Sequence, residues 1–446
     1  MNSSAVDNNT NSSLLKNPTV VFCLILITGF VLRIFLSLFL TYEPDFDTWI
    51  YWSKGVSSAG FGTFYDRYWC DYMPGYIYVL WLLEQIHSVL PGLSVDILYK
   101  LPANLADLGI SVLIFITLKG LTSVRNAIIG ALIYFFNPAV LSNSAFWGQV
   151  DSFHSFPILA SIVLGLRKRF ALSGIFAAMA FMIKPQSIVI FPIIGLLSIE
   201  PFFTRDRIFT LRSFLPALKM GICALFTIFI VSLPYIWDEI HSPGYIFTGP
   251  VELIKARFAA AYDQYQFASI NAFNFWGSFA MWTDDQILYL GFSYKTWGTI
   301  IFGFIYAAIV GLLLRFKMYS ESENPKQFTY LVLQAVTLIL FTLYLFLTRA
   351  HERHLLPTIV FFTLITFRSW ILWYLYSIVS VVYVCNMIYS YIQLTTNYSG
   401  VPDYIERIIL PGMFFLLLIT YIIVFFDYAK ITLGTKDRSK SAISEF

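Results

Sequence analysis

Charged residues are scarce in this sequence. Only 12% of the 446 residues are Asp, Glu, Lys or Arg, which is about half the fraction found in soluble globular domains. The net charge is only +3, and no basic surface suited to nucleic acid is evident. The composition therefore excludes an ordinary soluble domain and gives no reason to expect a nucleic-acid partner.

Cysteine is scarce as well, and no cleavable leader is predicted. Cys70 stands alone in a polar segment and the other three cysteines lie in apolar runs, so no disulfide framework is predicted and those three are expected to be buried. Residues 1–17 lack the charged start and cleavage site of a signal peptide and are predicted to form a disordered tail. The cysteines are Cys23, Cys70, Cys223 and Cys385.

Apolar residues are abundant instead. They make up 58% of the chain, the mean hydropathy is +0.70, and many runs approach the roughly 20 residues needed to cross a bilayer. The sequence predicts an all-α, multi-pass membrane protein with about 11–13 helices. The candidate helices are 19–41, 97–118, 126–145, 150–166, 170–183, 186–199, 211–236, 297–315, 328–348, 355–367, 370–394 and 408–428.

Lysine and arginine fall mainly in alternate loops, which predicts that these loops are cytoplasmic. Segment 74–90 begins with proline and carries Glu84 and His87, and we interpret it as a re-entrant or interfacial helix because a further crossing would break the alternation. The predicted order is a tail at 1–17, a membrane module at 18–236 with an external loop at 42–73, a large external loop at 237–296, membrane helices at 297–430 and a cytoplasmic tail at 431–446.

The first external loop opens with "YEPDFDTWIYW". Asp45 and Asp47 would point to different faces of a helix, and a carboxylate near an acceptor hydroxyl can act as a general base. Ordinary solvated acids are the alternative. Trp49 and Trp52, like Tyr72 further on, could stack on a sugar ring or lie at the membrane interface.

Two further polar clusters interrupt apolar helices on the same predicted side. In "WGQVD", Trp147, Gln149 and Asp151 suggest a hydrogen-bonding group beside a substrate headgroup, although Asp151 could simply cap a helix. In "IKPQ", Lys184 and Gln186 suggest contact with a lipid phosphate. The alternative is that Lys184 extends to the interface.

The stretch "TRAHERHLLP" places five ionisable side chains between two apolar runs, at a cost of several kcal/mol near lipid. The histidine spacing is not that of a metal motif, so no metal site is predicted. Arginine forks match phosphate oxygens, and the acid could orient them. A plain salt-bridge cluster is the alternative. The residues are Arg349, His351, Glu352, Arg353 and His354.

Taken together, "DFDTWIYW", "CDYMPGYIYVLW", "KLPANLADL", "NPAVLSNSAFWGQVDSF", "KPQ" and "RAHERHLLP" resemble the GT-C superfamily of polyprenyl-phosphate-sugar-dependent glycosyltransferases. The chain is most similar to predicted mannosyltransferases related to GPI mannosyltransferase II. This resemblance implies a GT-C-type helix bundle whose acidic first external loop supplies the base for an inverting transfer. It places the base on Asp45, with Asp47 second and orienting the acceptor.

The resemblance also implies the substrates. The donor would be dolichyl- or polyprenyl-phosphate-mannose, bound as a substrate rather than a cofactor, with "WGQVD" and "HER" lining its headgroup pocket. The acceptor would be a glycolipid or a lipid-linked glycan on the non-cytoplasmic side. A flippase for a lipid-linked glycan is the main alternative, although the internal repeat typical of many transporters is not evident. A structural subunit of a larger synthase is a third.

Overall fold

The computed structural model describes residues 17–199, 210–242, 244–319, 324–397 and 401–434. The predicted N-terminal tail lies outside these ranges except for Asn17, and so do the last twelve residues of the predicted cytoplasmic tail. The described chain is almost entirely helical, and the prediction of an all-α, multi-pass membrane protein is confirmed.

The helices follow one another with short connections. The first ten are α1 (Pro18–Leu36), α2 (Glu43–Ala59), α3 (Phe61–Arg67), α4 (Pro74–Val89), α5 (Val95–Leu121), α6 (Val124–Phe135), α7 (Pro138–Leu141, continued as a π-helix over Ser142–Trp147), α8 (Asp151–Leu166), α9 (Phe170–Ile183) and α10 (Phe191–Ser198). The others are α11 (Leu211–Ser232), α12 (Tyr245–Asp263), α13 (Gly277–Ala280), α14 (Tyr294–Tyr319), α15 (Pro325–Phe346), α16 (Leu356–Ile365), α17 (Trp370–Thr395) and α18 (Leu410–Leu433).

Among the described residues, seven helices are long and apolar enough to cross a membrane, or eight if the bent pair α6–α7 is one span. Three shorter apolar helices accompany them. The predicted number of about 11–13 membrane helices is therefore reached only if these shorter helices also lie at membrane depth. Segment 74–90 does form a helix, α4, and its predicted failure to cross remains a prediction.

Three predicted helices are interrupted. The predicted helix 126–145 bends by 41° between α6 and α7, because Pro138 has no N–H to donate. The Asn137 side chain caps the new start, accepting from Ala139 N at 2.9 Å. The predicted helix 186–199 begins as a 3₁₀ segment at Pro185–Ile190. The predicted helix 355–367 is α-helical over only ten residues, in α16.

The two predicted external loops contain regular secondary structure. Residues 42–73 contain α2 and α3, and residues 237–296 contain α12, α13 and three short strands. Strand β1 (Ser269–Ile270) pairs in parallel with β4 (Ala350–His351), whereas β2 (Leu288–Tyr289) and β3 (Phe292–Ser293) form a hairpin. The β1–β4 pair attaches the large external segment to the "RAHERH" stretch.

A buried ion pair joins the first membrane helices. Arg33 of α1 lies 2.8 Å from Asp107 of α5, and both side chains are at most 1% exposed. Asn104 accepts a second bond from Arg33 at 3.3 Å, and Tyr134 of α6 donates to Asp107 at 2.7 Å. Both terminal nitrogens of Arg33 and both oxygens of Asp107 therefore have partners, drawn from three helices, as buried charges require.

The expectation that the three cysteines of the apolar runs are buried was wrong. Cys23 is exposed on α1, and Cys223 and Cys385 are only partly buried, whereas Cys70 is buried. Cys23 lies on the outward face of a helix that is mostly unburied within the protein, where lipid would replace the expected protein contacts.

Candidate functional site

Asp45 lies in the first turn of α2, fixed by two donors from the α7–α8 junction. Trp147 Nε1 donates to Asp45 Oδ2 at 3.0 Å, and Gln149 Nε2 donates to the same oxygen at 2.6 Å. The other oxygen, Oδ1, accepts no hydrogen bond from the described residues. This arrangement fixes the carboxylate and leaves one oxygen available for a hydroxyl proton.

The backbone at Gly148 allows both donors to reach Asp45. Gly148 has φ +80°, a conformation that other residues rarely adopt, and a Cβ there would lie 2.7 Å from Lys100 Cγ. The preceding π-helix turn ends at Trp147, and π-turns are often found at functional sites. The tight turn thus places the side chains on either side of Gly148 beside one carboxylate.

Lys100 of α5 holds the chain that leads into Asp45. Its ammonium is fully buried and donates to Ser37 O at 2.8 Å, to Thr41 Oγ1 at 3.0 Å and to the carbonyls of Phe39 and Leu40. All four acceptors lie between the end of α1 and the start of α2, so Lys100 holds the connection between these two helices. We infer that Lys100 is a positioning residue for the start of α2.

Asp151, Lys184 and Arg353 form a buried charge cluster. Lys184 Nζ lies 2.8 Å from Asp151 Oδ1, and Arg353 Nε lies 3.8 Å from Asp151 Oδ2. Asp151 forms no capping bond at the start of α8, and Lys184 is only 6% exposed. Neither alternative, a helix cap or a lysine extending to the interface, describes these side chains.

The "RAHERH" stretch divides into two parts with different partners. Arg349, at φ +63°, forms a two-pronged pair with Asp285, with Nε at 2.6 Å and Nη2 at 3.1 Å, and it stacks over the Tyr262 ring. Arg353 instead turns toward Asp151 and bonds Glu352 at 2.9 Å. Arg349 therefore anchors the large external segment, while Arg353 belongs to the buried cluster.

Asp45 lies close enough to Arg353 for its charge to raise the pKa of that guanidinium. Burial acts to lower the pKa of Arg353, but neighbouring carboxylates outweigh it and raise that pKa above its ordinary value. Those carboxylates belong to Glu352, Asp45 and Asp151. Burial also lowers the pKa of His354, to about 3, so this histidine is neutral and adds no positive charge. His351, packed against Tyr265 at 5.0 Å, has its pKa lowered by burial too.

Two members of the cluster were missed by the sequence reasoning. Burial raises the pKa of Asp71, the charges of Arg353 and Lys184 lower it, and the charge of Asp45 raises it. Burial also raises the pKa of Tyr265, which the charge of Arg353 lowers and the charges of Asp71 and Asp45 raise. The "CDYMPGY" stretch that contains Asp71 did stand out in the sequence, but a carboxylate in a polar loop gave no reason to single it out.

The other predicted site residues occupy varied positions. Trp49 and Trp52 are 3% and 2% exposed, and Trp52 packs against Tyr72, so the two tryptophan rings lie inside the protein. Tyr72 is near enough to Arg353 for that charge to lower its pKa against the larger, raising effect of burial. Asp47 is exposed and makes no polar contact with the described residues.

A small cavity adjoins the cluster. It measures about 20 Å³ and is lined by Asp151, Lys184, His354 and His154, with exposed Gln186 at its edge. That volume holds about one water molecule. His154 Nε2 is buried there without a hydrogen-bond partner, which a water in the cavity would supply.

Neither a metal-binding group nor a known relative helps to assign a function to the site. Within the ranges that the structure describes, no group of three or more His, Cys, Asp or Glu side chains is arranged to hold a metal ion. No protein-family model matches the chain, and no curated protein matches it either.

Proposed function

We propose that this protein is an inverting membrane glycosyltransferase. It would move a sugar, with mannose as the proposed sugar, from a polyprenyl- or dolichyl-phosphate donor to a hydroxyl of a glycolipid or lipid-linked glycan. The observation that carries the proposal is the fixed Asp45 carboxylate next to the buried Arg353–Lys184–Asp151 cluster. A base for a hydroxyl and cations for a phosphate are thereby held together. The positive charge of the loops assigned to the opposite side supports a non-cytoplasmic location for this site.

The proposed chemistry uses these groups directly. Asp45 Oδ1 accepts the proton of the acceptor hydroxyl as its oxygen bonds to the anomeric carbon. The bond from that carbon to the phosphate oxygen breaks, and the lipid phosphate leaves with the electron pair. Arg353 and Lys184 stabilise the charge that develops on the leaving phosphate. Gln149 and Trp147 keep Asp45 oriented through the step.

The site holds more carboxyl groups than cations. Four acids (Asp45, Asp71, Asp151 and Glu352) face Lys184 and Arg353, so ionisation of every carboxyl would disfavour an anionic donor. Burial raises the pKa of Asp71 and of Glu352, against the lowering effect of the nearby Arg353 charge. A carboxyl that keeps its proton repels an anionic phosphate less than an ionised one does.

Donor binding is therefore expected to weaken as pH rises. Asp71 is neutral below its raised pKa and negative above it, so affinity for an anionic lipid phosphate falls as pH passes upward through that value. For a one-proton linkage the change is at most about tenfold per pH unit. Donor titrations across pH in nanodiscs measure this, with Asp71→Asn as the comparison. The asparagine variant should lose part of the pH dependence, and an unchanged profile would contradict the role of Asp71.

A transfer assay tests the function itself. Purified protein in nanodiscs receives radiolabelled polyprenyl-phosphate-mannose and an extract of membrane lipids, and the label is followed by extraction and chromatography. We expect label to move to a lipid acceptor with inversion at the anomeric carbon. Parallel reactions with other lipid-phosphate sugars test the choice of mannose. Failure with every donor, together with measurable movement of a lipid-linked glycan across the bilayer, would support the flippase instead.

A further inference from the structure

A second cavity lies at the end of the bundle opposite the charge cluster. It measures about 290 Å³ and is formed where α5 ends, where α15 begins and where Arg368 follows α16. Helix α15 has 22 residues, so its length of about 33 Å separates this cavity from the "RAHERH" stretch. The cavity therefore cannot share a ligand headgroup with the catalytic cluster.

The cavity lining is rich in hydrogen-bond donors. Lys326, Gln327, Tyr330 and Arg368 all line it, and the Lys326 ammonium has no ion pair or hydrogen bond to any residue in the described ranges. No carboxylate is among the described residues that line it. Asn324 also lines the cavity, but its side-chain oxygen is already used, accepting from two backbone N–H groups of α15.

Arg368 contributes donors although it is already paired. Its two terminal nitrogens each donate one bond, to Gln334 and to Asp427. A guanidinium has five N–H groups, so three remain after these two bonds. The pairing fixes the side chain at the cavity wall and leaves Arg368 able to bind an acceptor such as a phosphate oxygen.

The apolar part of the cavity lining indicates which class of anion fits. Leu121 and Leu331 supply apolar surface beside the donors, and the cavity lies where membrane helices end. Basic pockets of this kind between membrane helices bind anionic lipid headgroups. We propose that this cavity binds the headgroup of an anionic phospholipid, its phosphate at Lys326 and Arg368 and its glycerol against the two leucines. This inference does not depend on the proposed transfer reaction.

Photocrosslinking tests this inference. The protein is placed in phosphatidylcholine nanodiscs that contain a minor fraction of diazirine-bearing phosphatidic acid, and labelled peptides are mapped. We expect labelling of the peptide that spans residues 324–331. Lys326→Gln, at an exposed position where the fold does not need the lysine, should weaken phosphatidic acid binding roughly fivefold. Lys119→Gln is the matched control, because Lys119 is an exposed lysine at the same end of the bundle outside the cavity.

The remaining outcomes are equally decisive. The double variant Arg368→Gln/Asp427→Asn removes the second cation while leaving no unpaired buried charge, and it should also weaken labelling. Equal labelling by a phosphatidylcholine probe, or equal losses in Lys326→Gln and Lys119→Gln, would overturn the proposal. Displacement by inorganic phosphate would reveal a site for a free anion and would overturn its assignment to a lipid.

Discussion

Replacing Asp45 with asparagine is expected to lower the rate of sugar transfer by about 10²- to 10⁴-fold, the usual contribution of a general base. Asparagine keeps an oxygen that can accept the bonds from Trp147 and Gln149, so the local structure is retained. What it loses is the ability to take the hydroxyl proton. The measurement is single-turnover transfer from the labelled donor, with donor binding determined separately.

Variants of two neighbouring carboxylates test whether the loss of transfer is specific to Asp45. Glu43→Gln removes an exposed charge from the same helix and should leave transfer unchanged. Asp47→Asn removes the second carboxylate suggested by the sequence, which is exposed, and should cause a much smaller loss than Asp45→Asn. Equal losses in the two aspartate variants would contradict the assignment of the base to Asp45. A loss of donor binding in Asp45→Asn would indicate a binding role instead.

Replacing Arg33 with methionine is expected to destabilise the protein by about 3–5 kcal/mol, the range for a buried ion pair that loses one partner. The reason is that Asp107 would keep its charge without a counter-ion in a fully buried position. Thermal unfolding in detergent, followed by loss of the monodisperse elution peak, measures the effect. Arg125→Met is the control, since Arg125 is exposed at the start of α6.

A double variant separates this explanation from a loss of packing. Arg33→Met/Asp107→Asn removes both charges and keeps an acceptor for the Tyr134 hydroxyl. It should recover most of the lost stability, because replacing a whole buried pair by neutral groups is often tolerated. If the double variant is as unstable as Arg33→Met alone, the contacts of the arginine stem are the main contribution and the ion pair is not.

The helices were predictable from sequence because crossing a bilayer demands long apolar runs. Their interruptions were less so. Pro138 lies inside a run that remains apolar on both sides, and hydropathy alone does not respond to a missing N–H. The helices α2 and α12 are absent from the predicted membrane helices for the opposite reason. Both lie in segments of mixed polarity, which the apolar criterion assigns to loops.

The candidate site was partly predictable for a related reason. Asp151, Lys184 and Arg353 stood out because charges beside apolar runs need partners, and the structure pairs them with one another. Asp71 and Tyr265 carry no such signal, since both lie in polar surroundings in the sequence. Trp49 and Trp52 show the converse problem. An aromatic side chain suits a sugar or a protein core equally well, and only the tertiary structure shows that both rings are buried.

The parallel pairing of Ile270 with His351 has a consequence for how the protein is made. Helices α14 and α15 both lie between these two residues in the chain, so the two strands meet only if the helices cross the membrane as a pair and return the chain to its starting side. A ribosome adds roughly 5–20 residues per second, so the first strand waits several seconds for its partner. Failure of either helix to insert would leave Arg353 across the bilayer from Asp151. Formation of this short strand pair therefore requires that both helices insert.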